Sequence, residues 1–191
     1  MSIFSKVFGR ETEPSEEIAE LQQWAAKQEM YRNDEYYSLV EKIEQSKSED
    51  NYEKMLDYCE KTLPLLPQFV QNWKQTDGEF SIGSIPAIEL GCKFWAMIND
   101  RTHLNAVKTV VESVPELTEG WGSEVGTAFE MEQLSREIQE CVKAHPGTIQ
   151  SKLKDLIGKP AQEVSEVAYW LDRLGKMKRV KAGRSYALYM E

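Results

Sequence analysis

The fold of the C-terminal part can be predicted from residues 145–190, HPGTIQSKLKDLIGKPAQEVSEVAYWLDRLGKMKRVKAGRSYALYM. Within this stretch the spacing of the apolar residues changes from a helical to a strand-like pattern. Up to Leu174 the apolar residues recur three or four positions apart, which is typical of amphipathic helices. From Met177 two runs rich in strand-forming residues flank an Ala-Gly-Arg turn, which predicts a β-hairpin. A Pro-Gly pair precedes the first helix and Gly175 follows the second. The predicted order is two helices and then a hairpin.

A further amphipathic helix precedes this stretch in MEQLSREIQECVKA, residues 131–144. In the next helix Thr148 is expected to be the N-cap, and Pro160 is expected to begin the third helix. Three segments, HPGTIQSKLKDLIG, EVAYWLDRLGKMKRV and AGRSYALY, complete a succession of helix, turn, helix, turn, helix and two-stranded ribbon. This succession resembles the winged helix-turn-helix family. The resemblance covers about the last 55 residues and does not extend to the first 125.

The resemblance implies a role in nucleic-acid binding. In DNA-binding members of the family the third helix enters the major groove, and the basic wing contacts phosphates. The wing of this chain is the ribbon at residues 176–190. Five of its basic residues are predicted to contact phosphates and to add a salt-dependent affinity that is independent of base sequence. They are Lys176, Lys178, Arg179, Lys181 and Arg184.

The third helix fits this role less well than the wing does. Its outward positions include Glu163, Glu166 and Asp172, whose carboxylates would repel the phosphates of DNA. Trp170 lies on the same side as Glu166, where it is either exposed or packed on a neighbouring helical domain. The acidic residues favour an alternative in which the winged helix docks protein. That alternative predicts an acidic patch of the helical domain beside the wing.

The part of the chain before the winged helix shows mainly helical periodicity. Residues 1–14 are predicted to be a flexible N-terminus, and residues 15–125 an acidic helical domain. Two of its helices end at similar sequences, TLPLL at 62–66 and SVPEL at 113–117. The repetition favours stacked antiparallel helix pairs, as in a helical bundle or a short α-solenoid.

Two segments rich in glycine and polar residues are predicted to lie outside helices. KQTDGEFSIGS, residues 74–84, is the clearest loop, and Ser84 is a candidate cap for the helix after it. GWGSEVG, residues 120–126, is predicted to be a turn or linker that leads to the winged-helix domain at residues 130–191.

Charge is distributed unevenly along the chain. The 191 residues carry a net charge of −9, yet from Cys141 onward ten Lys and Arg face five Asp and Glu, a balance of about +5. Residues 1–140 therefore carry about −14. This asymmetry is consistent with one region that contacts polyanions and another that repels them, or with a merely solubilising surface charge.

The bulk sequence predicts a cytoplasmic protein without integral membrane association. No apolar run approaches the roughly 20 residues that a membrane-spanning helix needs, and the N-terminus lacks the features of a signal peptide. The three cysteines, Cys59, Cys92 and Cys141, are few and far apart, which argues against a disulfide framework.

No catalytic, metal or cofactor motif is recognisable in the sequence. A phosphate-binding loop, a dinucleotide fingerprint, a HExxH zinc motif and a GxSxG elbow are all missing. His103 and His145 are the two histidines, and a surface or capping role suits both better than general-base catalysis. Cys141 and His145 are four residues apart but have no further ligands for a tetrahedral zinc site. No metal site and no cofactor are predicted.

These observations predict a mainly α protein in which a helical bundle or short α-solenoid precedes a winged helix with a two-stranded wing. The favoured function is non-enzymatic: the wing contacts DNA or RNA, and the helical domain receives a protein partner, an effector or a second copy, as in a transcriptional regulator. The alternative is a protein-interaction adaptor whose winged helix docks protein. A hydrolase with unrecognised carboxylate chemistry is the least favoured class.

Overall fold

Helices make up most of the described chain, and a small antiparallel sheet lies near its C-terminus. The computed structural model describes residues 34–77 and 83–191, so the predicted flexible segment 1–14 and the first predicted helix lie outside the described residues. The helices are α1 (Glu35–Ser48), α2 (Tyr52–Thr62), α3 (Leu66–Asp77), α4 (Pro86–Met97), α5 (Arg101–Ser113), α6 (Pro115–Ala144), α7 (Gln150–Ile157) and α8 (Ala161–Arg173). The strands are β1 (Thr148–Ile149), β2 (Met177–Ala182) and β3 (Ser185–Met190).

Contacts divide the chain after Ser38, and Leu39–Glu191 forms one compact unit. Helix α4 lies at its centre, where it packs against α2, α5, α6 and α8. The α4 side chains of Phe94, Trp95 and Met97 are all buried, as its strongly apolar sequence requires. No helix in the described parts of the chain combines the length and the apolar character needed to cross a bilayer.

Local sequence signals set the ends of several helices. Asn51 and Asp100 cap α2 and α5, since their side chains accept hydrogen bonds from the backbone N–H groups of Lys54 and His103. A 3-10 turn at Leu63–Leu65 contains Pro64 and separates α2 from α3, so the helix predicted to end at TLPLL does end there. The predicted loop at residues 74–84 is wrong at its start, because α3 continues to residue 77.

The start of α4 uses a different cap from the one that the sequence suggests. The Ser84 hydroxyl donates to Oε2 of Glu89 at 2.8 Å, and the backbone N–H of Ile85 donates to Oε1 of the same residue at 3.0 Å. The Glu89 carboxylate therefore satisfies the free N–H group, and Ser84 supports it.

The linker predicted at residues 120–126 is wrong, because these residues belong to the 30-residue helix α6. Glycine costs about 1 kcal/mol relative to alanine inside a helix. Leu117, Trp121 and Val125 are nevertheless spaced by four and buried. Their packing against α4 and α5 outweighs the low helix propensity of the glycines. The predicted boundary between residues 125 and 130 falls inside this helix.

The sheet has three strands in the order β1-β3-β2, and both pairings are antiparallel. The hairpin was predicted, and Gly183 in its turn has a φ of +62°, which glycine adopts without strain. Strand β1 was not predicted: Thr148 pairs with Leu188 and does not cap α7. The Thr148 hydroxyl instead donates to the carbonyl oxygen of His145 at 2.5 Å.

One apolar cluster joins the sheet and α8 to the long helix α6. It includes Ile138, Leu153, Val167, Leu171 and Leu188, each at most 2% exposed. The three- and four-residue spacing of apolar side chains in α8 predicts an inward stripe. Four of its five members are buried and Leu174 is partly buried; the four are Val164, Val167, Ala168 and Leu171.

Candidate nucleic-acid interface

Four of the five predicted wing cations are exposed in the structure. Lys176 precedes β2, Lys178 and Lys181 lie on β2, and Arg184 occupies the hairpin turn. None of the four is within 4.0 Å of a carboxylate from residues 34–77 or 83–191 (Arg173 and Lys93, by contrast, form such ion pairs). Their charge is therefore available to an anion from outside.

Strand pairing places these cations on both faces of the hairpin. Lys178 is opposite Tyr189, whereas Lys181 is opposite Tyr186. Directly opposite residues of an antiparallel pair share a face, and successive residues alternate between faces. Lys178 and Tyr189 therefore lie on one face of the ribbon, and Lys181 and Tyr186 on the other.

Arg179, the fifth predicted phosphate contact, is half-buried and held by the protein itself. Its Nε donates to Oε1 of Gln150 at 3.0 Å, and its backbone N–H donates to Oδ1 of Asp172 at 2.8 Å. The guanidinium carbon lies 4.1 Å from the ring centroid of Tyr186 and 5.5 Å from that of Tyr169. Arg179 thus joins α7, α8 and β3, which sets it apart from the four exposed cations.

One flank of α8 lies against the helices that precede it. The Trp170 ring packs edge-on against the Phe94 ring, with centroids 5.1 Å apart, and Lys93 Nζ lies 5.0 Å from the centroid of the Trp170 ring. Lys93 also forms an ion pair with Glu166 at 3.1 Å. Of the two placements considered for Trp170, the packed one is therefore confirmed. Glu166 is paired with a lysine and does not project freely from α8.

The same flank carries Arg173, whose guanidinium contacts Oδ2 of Asp50 at 2.6 Å. The side-chain hydrogen bond from Arg173 lowers the pKa of Asp50, and a second hydrogen bond from Tyr52 acts in the same direction. Glu166, Trp170 and Arg173 are spaced by four and three, so their contacts extend along one side of α8.

A cleft of about 820 Å³ lies beside the start of the β2–β3 hairpin. Arg173 and Lys176 line it from the C-terminal part of the chain, and Tyr52 contributes aromatic surface. Six acidic residues also line the cleft: Glu49, Asp50, Glu53, Asp57, Glu60 and Asp100. An acidic surface of the helical region therefore adjoins the base of the basic β2–β3 hairpin.

His103 borders this cleft and is held by three neighbours. Its ring stacks on the indole of Trp95, with centroids 5.0 Å apart and planes 13° apart. Nδ1 is 2.6 Å from Oδ2 of Asp100, and Nε2 is 3.4 Å from Oε1 of Glu60. Burial lowers the pKa of His103, but the two carboxylates outweigh burial and raise it above its ordinary value.

The raised pKa of His103 predicts that its contribution to stability depends on pH. The contribution is fully present below the ordinary histidine pKa of about 6.5 and disappears as the pH rises through the folded-state pKa. We therefore expect His103→Gln to destabilise the protein more at about pH 5.5 than at about pH 8.5. Urea unfolding of both proteins at both pH values measures the difference. In a Glu60→Gln background the difference should shrink, and an equal loss at both pH values would contradict the expectation.

The described cysteines and acidic residues form no metal centre. In residues 34–77 and 83–191, no group of three or more His, Cys, Asp or Glu side chains is arranged to hold a metal ion. Cys59 and Cys92 are buried, and burial raises the pKa of each thiol to about 12. Both are protonated at neutral pH, so neither is an activated nucleophile.

The residues that sequence reasoning missed are Gln150 and Tyr169, which lie on α7 and α8 and contact Arg179. No sequence signal points to them, because residues 29 and 10 positions before Arg179 reach it only through the tertiary fold.

Comparisons of the chain with protein-family models, with curated proteins and with solved structures gave no significant match.

Proposed function

We propose that this chain is a non-enzymatic binding protein whose residues 130–191 form a winged helix that contacts nucleic acid through its wing. The observation that supports this proposal is the set of four exposed wing cations that lack a carboxylate partner within residues 34–77 and 83–191: Lys176, Lys178, Lys181 and Arg184. An excess of unpaired positive charge on an acidic chain favours a polyanionic ligand. The cytoplasmic location predicted from the sequence belongs to the same proposal, and the free cysteines agree with it.

The wing would act on the sugar–phosphate backbone. Each lysine or arginine that neutralises a phosphate releases counterions, so affinity falls as salt rises. The logarithm of the association constant changes with the logarithm of salt by about −0.9 per contact on duplex DNA and about −0.7 on a single strand. Contacts of this kind position a protein on nucleic acid without reading its sequence.

In this proposal α8 does not read bases from a major groove. A helix fills most of a groove that is about 12 Å wide, so it needs both flanks free. The flank of α8 that carries Glu166, Trp170 and Arg173 is packed on the preceding helices. The acidic residues of α8 and the packing of its flank both argue against base reading in the major groove. The helical region, in turn, is proposed to receive a protein partner or an effector.

Charge reversal on the wing tests the proposal. Lys178→Glu/Lys181→Glu/Arg184→Glu should abolish binding of a labelled mixed-sequence oligonucleotide at low salt. Reversal at only one of these positions should reduce the magnitude of the salt slope, that is, the change in the logarithm of the association constant with the logarithm of salt, by about 1. Fluorescence anisotropy over a range of salt concentrations measures both. Arg179 is left intact, because its contacts to Gln150 and Asp172 make its loss a structural change as well.

A matched control makes the same change of net charge elsewhere. Lys47→Glu/Lys54→Glu/Lys108→Glu reverses three exposed lysines on α1, α2 and α5, and it should leave binding within about threefold of the wild type. If the wild-type protein binds neither DNA nor RNA at low salt, the proposal fails. It fails equally if the control triple and the wing triple lose the same affinity.

The acidic cleft beside the wing favours a second candidate function. The adaptor alternative expects an acidic surface of the helical region next to the basic ribbon, and the cleft provides six carboxylates beside Lys176. In that case the protein should recover a protein partner from its native host after nuclease treatment, and it should show no affinity for oligonucleotides at low salt. Loss of the partner in Glu49→Lys/Glu53→Lys would assign the contact to the cleft.

A further inference from the structure

We infer that the nucleic acid bound by this protein is single-stranded and that Tyr169 and Tyr186 form a base-stacking platform for it. The inference deepens the proposed function and rests on it. It concerns the part of the ligand that the phosphate contacts leave unspecified, namely whether the bases are paired or free.

The platform is built around Arg179. Tyr169 comes from α8 and Tyr186 from β3, and the guanidinium of Arg179 lies near both rings, at 5.5 and 4.1 Å from the centroids. A hydrogen bond from its Nε to Oε1 of Gln150 restrains the guanidinium beside both rings. A cation over an aromatic ring is attracted to its face, so Arg179 restricts the orientation of both rings before any ligand arrives.

Both tyrosine side chains are exposed to solvent although Arg179 restrains their rings. Tyr169 is 43% exposed and Tyr186 is 37% exposed. The Tyr169 ring also lies edge-on to the ring of its neighbour Trp170, with centroids 5.3 Å apart. A fixed aromatic ring with an open surface is the feature on which proteins stack unpaired bases.

Two cations lie close to Tyr186, where they can contact the phosphates of a bound strand. Lys181 is directly opposite Tyr186 on the same face of the hairpin, and Arg184 lies in the adjoining turn. Both are exposed. Rings that stack bases beside cations that contact phosphates are the combination found in grooves that bind single strands without sequence preference.

Duplex DNA does not match this surface. Its bases are stacked on one another, so they offer no free faces to Tyr169 and Tyr186. Entry of α8 into the major groove would also require its flank with Trp170 to leave Phe94 and Lys93. A duplex is therefore limited to the phosphate contacts of the wing, whereas a single strand gains the stacking in addition.

Oligonucleotide binding by the full-length protein tests the inference. Fluorescence anisotropy at low salt compares a labelled mixed-sequence single strand of about 20 nucleotides with the duplex of the same sequence. The wild type should bind the single strand more tightly. Stacking contributes roughly 5- to 150-fold in affinity per base. We therefore expect Tyr169→Leu/Tyr186→Leu to weaken single-strand binding by about 20-fold or more and duplex binding by less than about threefold.

Two control variants separate stacking from other effects. Tyr169→Phe/Tyr186→Phe keeps both rings and should bind the single strand within about threefold of the wild type. Tyr189→Leu removes an equally exposed tyrosine from the opposite face of the hairpin, and it should also leave binding within that range. If the double leucine variant has a reduced far-UV circular dichroism signal, the single variants take its place, and each should lose at least about fivefold.

The outcomes distinguish this inference from the proposed function. Equal affinity for single strand and duplex, or equal losses for both in the leucine variant, overturns the platform and leaves the wing proposal standing. Absence of binding to either probe overturns both. A lower affinity in the phenylalanine variant than in the leucine variant also overturns the platform, because a phenylalanine ring stacks on bases and leucine does not.

Discussion

Trp95→Ala is expected to lower the free energy of unfolding by about 3–5 kcal/mol. Trp95 is only 2% exposed and lies in the last turn of α4, the helix that packs against α2, α5, α6 and α8. Its removal leaves a cavity that the surrounding helices fill only in part, and it also removes the stacking partner of His103. Urea unfolding followed by far-UV circular dichroism measures the loss. A loss below about 1 kcal/mol would show that the centre of the helical region packs differently.

A double-mutant cycle with Gly91 sharpens this expectation. A Cβ atom on Gly91 would lie 2.4 Å from Cζ3 of Trp95 and 2.9 Å from Cε3, so Gly91→Ala should destabilise the wild type by about 1–3 kcal/mol. In the Trp95→Ala background the clash is gone, and the same change should stabilise α4 by up to about 1 kcal/mol. Gly120→Ala is the control, since nothing lies within 4 Å of its Cβ position. The same sign for Gly91→Ala in both backgrounds would contradict the packing described.

Features encoded by neighbouring residues were predictable from the sequence. The spacing of Val164, Val167 and Leu171 identified the buried side of α8, and all three are buried. The turn residues around Gly183 identified the hairpin, because a positive φ at that position suits glycine and few other residues. In both places the periodicity and the turn chemistry are contained in a window of a few residues.

Features that depend on tertiary contacts were not predictable in this way. The glycines of residues 120–126 indicate a turn locally, yet the buried Trp121 and Val125 hold that segment in α6. Strand β1 is only two residues long, and it exists because Thr148 and Ile149 pair with β3 almost 40 positions later. A single sequence does not reveal which distant residues meet.

In the candidate site, too, some features were predictable from the sequence and others depend on tertiary contacts. Counting charges was enough to identify the exposed wing cations such as Lys178 and Lys181, because exposed charge is the usual state of lysine. The same count treated Arg179 as another phosphate contact. Its hydrogen bond to Gln150 and its position beside two tyrosine rings come from three separate elements. The arrangement of Tyr169 and Tyr186 around Arg179 therefore became visible only once the fold was known.

Trp170→Ala is expected to lower the free energy of unfolding by about 2–4 kcal/mol, because it removes a packed aromatic side chain. Its indole packs edge-on against Phe94 and Tyr52, at 5.1 and 5.9 Å between centroids. Each such aromatic pair contributes roughly 0.5–1.5 kcal/mol beyond the burial of apolar area. The Lys93 ammonium over the ring adds about 0.5–1 kcal/mol at an exposed site. Urea unfolding again provides the measurement.

Two further variants identify which of these contacts carries the loss. Trp170→Phe keeps an aromatic ring against Phe94 and should recover at least about half of the lost free energy, because its apolar area and edge-on geometry are largely retained. Lys93→Met removes the cation and the exposed ion pair to Glu166, and it should cost no more than about 1–2 kcal/mol. If Lys93→Met costs as much as Trp170→Ala, charge rather than aromatic packing holds α8 to the preceding helices. A stability of Trp170→Ala equal to that of the wild type would mean that this flank of α8 is not anchored. In that case the strongest structural objection to groove binding by α8 would disappear.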